Sequence, residues 1–280
     1  MDFSFALYTL AATCRALANY ERTSIDAVTI AYYSTMTTWY EICDEVREAY
    51  NTTGASPLFF RGHSDASWPL VPTLARHTHS IMTHTKLPSS AHVEENLYFE
   101  FVTHAGELLR RELDAWDHLF SMQHHGVPTR LLDWTECFAV AVHFALKDAT
   151  GDAAIWILNP FLLNNTTMGA AKVVRPTVLG DYFALYIART AKVQKRKAVV
   201  ALYPLRHNLR VFQQRSGFTL YNNLSSSLED LYPESVKKIV LPVSVHADAR
   251  AFLLLAGISE FTLFPDLDGL SRQVKMRYVG

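Results

Sequence analysis

Residues 129–160, TRLLDWTECFAVAVHFALKDATGDAAIWILNP, decide the fold class. TRLLDWT (129–135) reads as a short strand, ECFAVAVHFALKDA (136–149) as a helix of small and apolar residues, and AAIWILNP (153–160) as a buried strand. A helix that is apolar on nearly every side has to be enclosed, so strand, helix and strand form a core unit. Upstream, the turn cluster NTTGASP (51–57) precedes the strand LFFRG (58–62), and downstream AVVALYPL (198–205), SGFTLYN (216–222) and VKKIVLPV (236–243) supply further strands. Helices are expected over 3–20 and over 36–50, where Trp39, Ile42 and Val46 recur at helical spacing. The stretch 93–126 reads as one long or two consecutive helices, and 246–258 as a helix closed by Gly257. Residues 72–92, rich in His, Thr, Ser and Pro, read as a loop with some local helix, and 261–278 as a turn followed by a short helix. The strands are too many for a helical bundle and are not regularly interleaved with helices. The expected class is α+β, a mixed sheet flanked by helices, with residues 1–50 as an N-terminal helical extension packed on a core of residues 51–280.

The 280 residues are 49% hydrophobic and carry a formal net charge of −1, which argues against a protein that coats nucleic acid by charge alone. Cys14, Cys43 and Cys137 are odd in number and widely spaced, giving neither a disulfide framework nor metal-ligand spacing, so a reducing cytoplasm is expected. The first residues hold an apolar stretch but have Asp2 and no basic residue before Arg15, the wrong charge for an export signal. No run of about twenty apolar residues occurs, so no spanning helix is expected.

The strand LFFRGHSD (58–65) ends on Arg61. An unpaired buried charge costs roughly 3–5 kcal/mol, so Arg61 requires an anion, from the protein or from a ligand. Asp133 and Asp65 are the candidate ion-pair partners from within the chain, and Arg130 calls for an acid on a neighbouring element.

Four segments in order, LFFRGHSDASWPLVPTLAR, QHHGVPTRLLDWTECFAVAVHFAL, NLRVFQQRSGF and GISEFTLFPDLDGL, resemble the FRG domain family, named for its Phe-Arg-Gly tripeptide, from about residue 36 onward. That resemblance implies a bacterial or phage-encoded domain. The order of an Arg-Gly at the end of the first core strand, a polar strand end before an Ala/Phe-rich helix, and a later Glu or Gln also resembles the ADP-ribosyltransferase layout. On that resemblance Arg61 would meet the phosphates and nicotinamide ribose of NAD, the substrate. Asp133, Trp134 and Thr135 would organise the site, and Gln214 would stand where those enzymes usually carry a Glu that holds the ribose 2′-hydroxyl. Glutamine cannot act as a carboxylate does, which leaves Glu260 and Glu229 in reserve.

Cleaving the nicotinamide–ribose bond passes through a cationic, oxocarbenium-like sugar, so such a site should stabilise that charge while neutralising the diphosphate. The planar fork of Arg61 suits the diphosphate, and Gly62 would let the backbone approach the ligand. Phe60, Trp68 and Trp134 can stack on a base, Thr129 and Thr135 can bind ribose hydroxyls, and His124 or His125 can donate hydrogen bonds or act as bases; each histidine can equally cap a helix end. With no third ligand at conventional spacing, the histidine pair does not make a zinc site. Asp266 and Asp268 fit a turn and a helix cap. KVQKRK (192–197), with Arg206, Arg210 and Arg215, is a basic cluster that is either a solvated loop or a phosphate-backbone patch; in the second case Arg210 and Arg215 contact an RNA or DNA substrate. A toxin or phage-defence effector with an antitoxin or chaperone as partner would fit the enzyme reading. A non-catalytic module that binds a nucleotide or phosphate and reports to a protein partner is the other.

Overall fold

The computed structural model describes residues 37–109, 113–189, 199–204 and 213–279. The chain divides into two units, Met1–Thr38 and Trp39–Gly280, and the second holds the sheet and the helices packed on it. The helix expected over 3–20, the run KVQKRK, Arg206 and Arg210 lie outside the described residues.

Among the described residues six strands are formed: β1 (Phe59–His63), β2 (Leu131–Thr135), β3 (Ala153–Leu158), β4 (Val199–Leu202), β5 (Ser216–Tyr221) and β6 (Val236–Leu241). The α-helices are α1 (Trp39–Thr53), α2 (Thr73–Thr85), α3 (Ser90–Ala105), α4 (Ala115–His124), α5 (Phe138–Leu146), α6 (Pro160–Met168), α7 (Leu228–Leu231), α8 (His246–Leu255), α9 (Glu260–Leu263) and α10 (Leu267–Tyr278). A single π-helical turn spans Phe183–Ile187. The protein is α+β. The strands make one sheet in the order β4-β5-β2-β1-β3-β6. Its ladders are antiparallel rather than mixed; a parallel contact occurs as the isolated bridge between Val174 and Leu202.

The two faces are read directly from the two-residue period of the strands. One face is covered over β1, β3 and β6 by α1, α5 and α8, through a core that includes Trp39, Ile42, Phe60, Ala141, Ile155 and Leu241. The same face over β2, β4 and β5 packs Leu131, Phe218 and Leu220 against Tyr98, Trp116, Tyr182 and Tyr186. The opposite face holds Phe59, Leu132, Trp134, Trp156 and Leu158 with Leu163 of α6. Because α1 buries Trp39, Ile42 and Val46 in the first of these cores, it is an integral part of this unit.

The ladders are uneven, and this positions the site. β1 pairs with β3 over five residues and β2 with β5 over five, whereas β1 and β2 share the single pair Phe60–Thr135. The sheet is therefore two three-stranded halves joined at one bridge, with β1 and β2 unpaired beyond it.

Of the described helices longer than a single turn, α2 and α6 escape the sequence pattern. α2 is a full helix where a loop with some local helix was expected; it buries only Leu74, so it has no apolar stripe to read. Its hydroxyls are satisfied locally, Thr78, Thr83 and Thr85 each donating to the carbonyl four residues back. α6 begins with the Asn159 side chain accepting from Phe161 N and Leu162 N, with Pro160 in the first turn, a start signal hidden inside an expected strand end. Asp266 caps α10 by accepting from Gly269 N at 2.7 Å, as expected. No helix among the described residues is long and apolar enough to cross a membrane.

Candidate functional site

Arg61 projects from β1 where β1 and β2 part. Its Nη1 donates to the Asp133 carbonyl oxygen at 2.8 Å, a backbone acceptor on β2. Its Nε donates to His63 Nε2 at 3.0 Å. The Asp133 carboxylate lies 3.9 Å from Nη1, with the Arg61 side chain 17% exposed and that of Asp133 55% exposed. Asp133 is thus a backbone acceptor first and a loose ion-pair partner second. Arg61 Nη2 has no partner among the described residues, so a guanidinium held at two nitrogens keeps one donor edge free. Burial lowers the Arg61 pKa, Asp133 opposes that shift and Arg76 of α2 adds to it; the group remains a cation, as arginine does in proteins.

His63 acts as an acceptor for this arginine. Its Nδ1 lies 3.3 Å from the Trp68 carbonyl oxygen, which accepts only, so the proton sits on Nδ1 and Nε2 offers its lone pair to Arg61. Burial, then the Arg61 charge, push its pKa down from 6.5 to about 3, with Arg76 and Lys238 adding to the shift and the Trp68 carbonyl opposing it. The unfolded chain takes up a proton that the folded ring refuses, so stability is lost as pH falls from 6.5 toward about 3. Melting temperature measured across that window is expected to fall less steeply in His63→Gln, whose amide oxygen replaces the ring lone pair.

On the other side, Asp133 Oδ2 accepts from Gln123 Nε2 of α4 at 2.7 Å. Gln123 is itself fixed, its Oε1 accepting from the Thr129 hydroxyl. Thr129 also accepts from Leu131 N at 3.1 Å, so its hydroxyl is committed to orienting Gln123 rather than a ribose. Asp133 Oδ1 has no partner among the described residues and faces outward with its exposed side chain.

The other expected site residues lie elsewhere or carry structural tasks. Gly62 faces α5, not a ligand: a Cβ there would sit 2.1 Å from Ala141 O and 2.4 Å from Ala145 N. Trp134 is buried in the core, its Nε1 donating to Thr219 Oγ1 at 3.0 Å. Phe60 is buried as well. The Thr135 hydroxyl donates to Gln214 O at 2.6 Å and accepts from Cys137 N at 3.0 Å, joining β2 to the start of α5. Gln214 Nε2 donates to Leu263 O of α9 at 3.1 Å, and no contact brings it to Arg61. His125 is exposed at the end of α4, its N–H bonded to Ser121 O, with its ring edge-on to His124 at 4.8 Å. Arg215 is exposed 4.0 Å from Glu136. Of the reserve acids, Glu229 accepts from Leu70 N. Glu260 is buried among Arg272, Lys147 and His143, fastening α9 to α5 and α10.

Arg130 finds its acid in Glu94 of α3. Arg130 Nε donates to Glu94 Oε1 at 2.5 Å and Nη2 to Oε2, while Nη1 donates to Tyr221 O. Tyr182 OH donates to Glu94 Oε1 at 2.7 Å, and the guanidinium lies 4.1 Å from the Tyr186 ring centroid. Burial works against the Arg130 charge, but Glu94 outweighs it and the pKa is raised. The pair forms the inner wall of a cleft of about 670 Å³ between α2, α3 and the loop at Asn222–Ser225. With its donors and acceptors satisfied, it is a structural ion pair. Among the described residues no group of three or more His, Cys, Asp or Glu is placed to hold a metal ion.

Sequence reasoning found Arg61 and Asp133 but missed Gln123, His63 as an acceptor, and Arg76. All three lie inside segments already singled out, QHHG, RGHSD and TLAR, but their roles depend on which side chains a parted sheet brings together.

Residues 56–153 match the model of the FRG domain, a segment that contains Arg61, His63, Gln123 and Asp133. This segment carries the FRG domain, and the segments NLRVFQQRSGF and GISEFTLFPDLDGL lie beyond it. Neither the curated proteins nor the solved structures contain a match to this chain.

Proposed function

We propose that the FRG domain of this protein binds a nucleotide through its phosphates at Arg61, that the nucleotide is NAD, and that its ADP-ribose is transferred to a macromolecule. The observation that carries this reading is the guanidinium of Arg61, fixed by Asp133 O and His63 Nε2 with its Nη2 edge free at the parting of β1 and β2. A pre-oriented cation with a spare donor edge is a phosphate receptor whose ordering cost has been met by the fold. The charge of Arg76 is also felt at Arg61.

Asp133 supplies the acid that Gln214 cannot. Gln123 holds Oδ2 of its carboxylate and leaves Oδ1 for the substrate. In the reaction the bond between the ribose C1′ and the nicotinamide nitrogen breaks, its electron pair leaving with nicotinamide. The cationic C1′ is stabilised by the carboxylate, and the acceptor's oxygen or nitrogen bonds to C1′ as its proton passes to Asp133 or to water. Modification of RNA or DNA in this way would suit a toxin or phage-defence effector held silent by an antitoxin or chaperone.

One observation favours the binding-module reading instead: Thr135 and Gln214 are committed to the frame of β2, α5 and α9 rather than to a ligand. The two readings separate on turnover. Nicotinamide release from NAD, measured with and without cell extract, is expected from the wild type and is expected to drop at least about 100-fold in Arg61→Ala, the scale of losing a charged hydrogen-bonded anchor. Arg61→Lys, which keeps the charge without the fork, should fall between them. Binding of NAD without nicotinamide release or labelling of any extract component would exclude the enzyme. A collapse of the melting transition in both variants would make Arg61 a structural residue.

A further inference from the structure

Of the three rings able to stack on a base, Phe60 and Trp134 are buried and Trp68 is 45% exposed. Trp68 is also tied to Arg61 through one side chain. The His63 ring stands edge-on to the Trp68 ring, centroids 6.0 Å apart and planes at 62°. His63 Nδ1 meets the Trp68 carbonyl oxygen at 3.3 Å while Nε2 accepts from Arg61 at 3.0 Å. A single imidazole therefore spaces the indole from the guanidinium.

The loop that carries Trp68 is held in place along its length. Ala66 N donates to Asp152 O at 2.8 Å and Trp68 N to Asp65 O at 3.3 Å. Ser67 N and Oγ both donate to Asp65 Oδ1 at 2.7 Å, and Lys238 Nζ donates to Ala66 O. Leu70 N then closes on the Glu229 carboxylate at 3.2 Å. An exposed indole on an anchored loop is a fixed surface, and stacking on it costs little ordering.

We infer that Trp68 is the base-stacking platform of the Arg61 site and His63 the residue that sets its distance from the phosphate anchor, so that the site selects phosphates attached to an aromatic heterocycle over phosphate alone. This rests on the reading of Arg61 as a phosphate receptor and adds the ligand class. Either ring of NAD fits the chemistry, since stacking is tolerant of base identity. The positive charge of Arg61, Arg76 and Lys238 accounts for the phosphate, and the indole for the ring.

The test is a calorimetric titration of the full chain with inorganic pyrophosphate, ADP and nicotinamide mononucleotide, in the wild type, Trp68→Ala, Trp68→Phe and Arg61→Ala. Trp68→Ala is expected to weaken ADP or nicotinamide mononucleotide by about tenfold or more, the size of one base–aromatic stack, with pyrophosphate unchanged. Trp68→Phe should restore most of that loss, and the ligand that responds identifies the stacked ring. Equal weakening of all three ligands by Trp68→Ala, or none, overturns the inference while leaving the Arg61 reading intact. If Arg61→Ala leaves pyrophosphate and ADP binding unchanged, the phosphate reading fails first; a wild type that binds none of the three overturns both.

Discussion

Gly62→Ala is expected to destabilise the protein by at least about 3 kcal/mol, at or beyond the upper end of what overpacking a core usually costs. The added methyl would meet Ala141 O at 2.1 Å and Ala145 N at 2.4 Å, and both are backbone atoms of a helix that cannot turn aside as a flexible side chain can. α5 would have to lift from β1, opening the core of Phe60, Ala141, Ala145 and Ile155. At about 2–4 °C per kcal/mol for a unit of this size, the melting temperature should drop by about 6 °C or more. Gly151→Ala is the control, because a Cβ there has no atom within 4 Å; its melting curve should match the wild type. An unperturbed Gly62→Ala would show that α5 does not sit as closely on β1 as described, and would reopen that glycine to a role in ligand approach.

The second large effect concerns Glu94 and Arg130. Removing one member, as in Glu94→Leu or Arg130→Met, leaves its partner's charge buried and uncompensated, which costs roughly 3–5 kcal/mol. Tyr182 OH loses its acceptor in the first case and Tyr221 O its donor in the second. The double variant removes both charges at once and should recover most of the loss, since apolar replacement of a buried ion pair is often close to neutral. Denaturant unfolding of the four proteins closes the cycle. Additive losses in the double variant would mean that the two side chains are not paired and that the charge of Arg130 serves the adjoining cleft instead.

The part of the fold that rests on period was legible in the sequence. α1 announces itself through its stripe of Trp39, Ile42 and Val46, because burial on one face leaves a helical period, whereas the apolar helix α5 and the fully buried strands β3 and β4 announce themselves as continuous apolar runs. α2 does not, because it rests on Leu74 alone and satisfies its threonines internally. The pairing of the strands was not legible either. Nothing in LFFRGHSD or TRLLDWT states that β1 and β2 meet at one residue and then part, yet that single bridge makes room for Arg61. The candidate site divides in the same way. Arg61 could be found alone, as a charge at a strand end in need of an anion, and Asp133 as one of its two proposed partners. In the sequence the threonines, Trp134 and Gly62 show only what such residues can do near a nucleotide. In the fold, hydroxyls, indole and missing side chain are used by Gln123, Gln214, Thr219 and α5, which sequence spacing does not reveal.

The free edge of Arg61 is the proposed receptor for the phosphates of a nucleotide. Titration of NAD into the wild type and into Arg61→Lys, with folding of both verified by melting, tests it. Saturable binding by the wild type, weakened at least about tenfold when the fork is replaced by a point charge and screened by added salt, is the predicted result. Equal affinity in the two proteins, or no binding by the wild type, would contradict it.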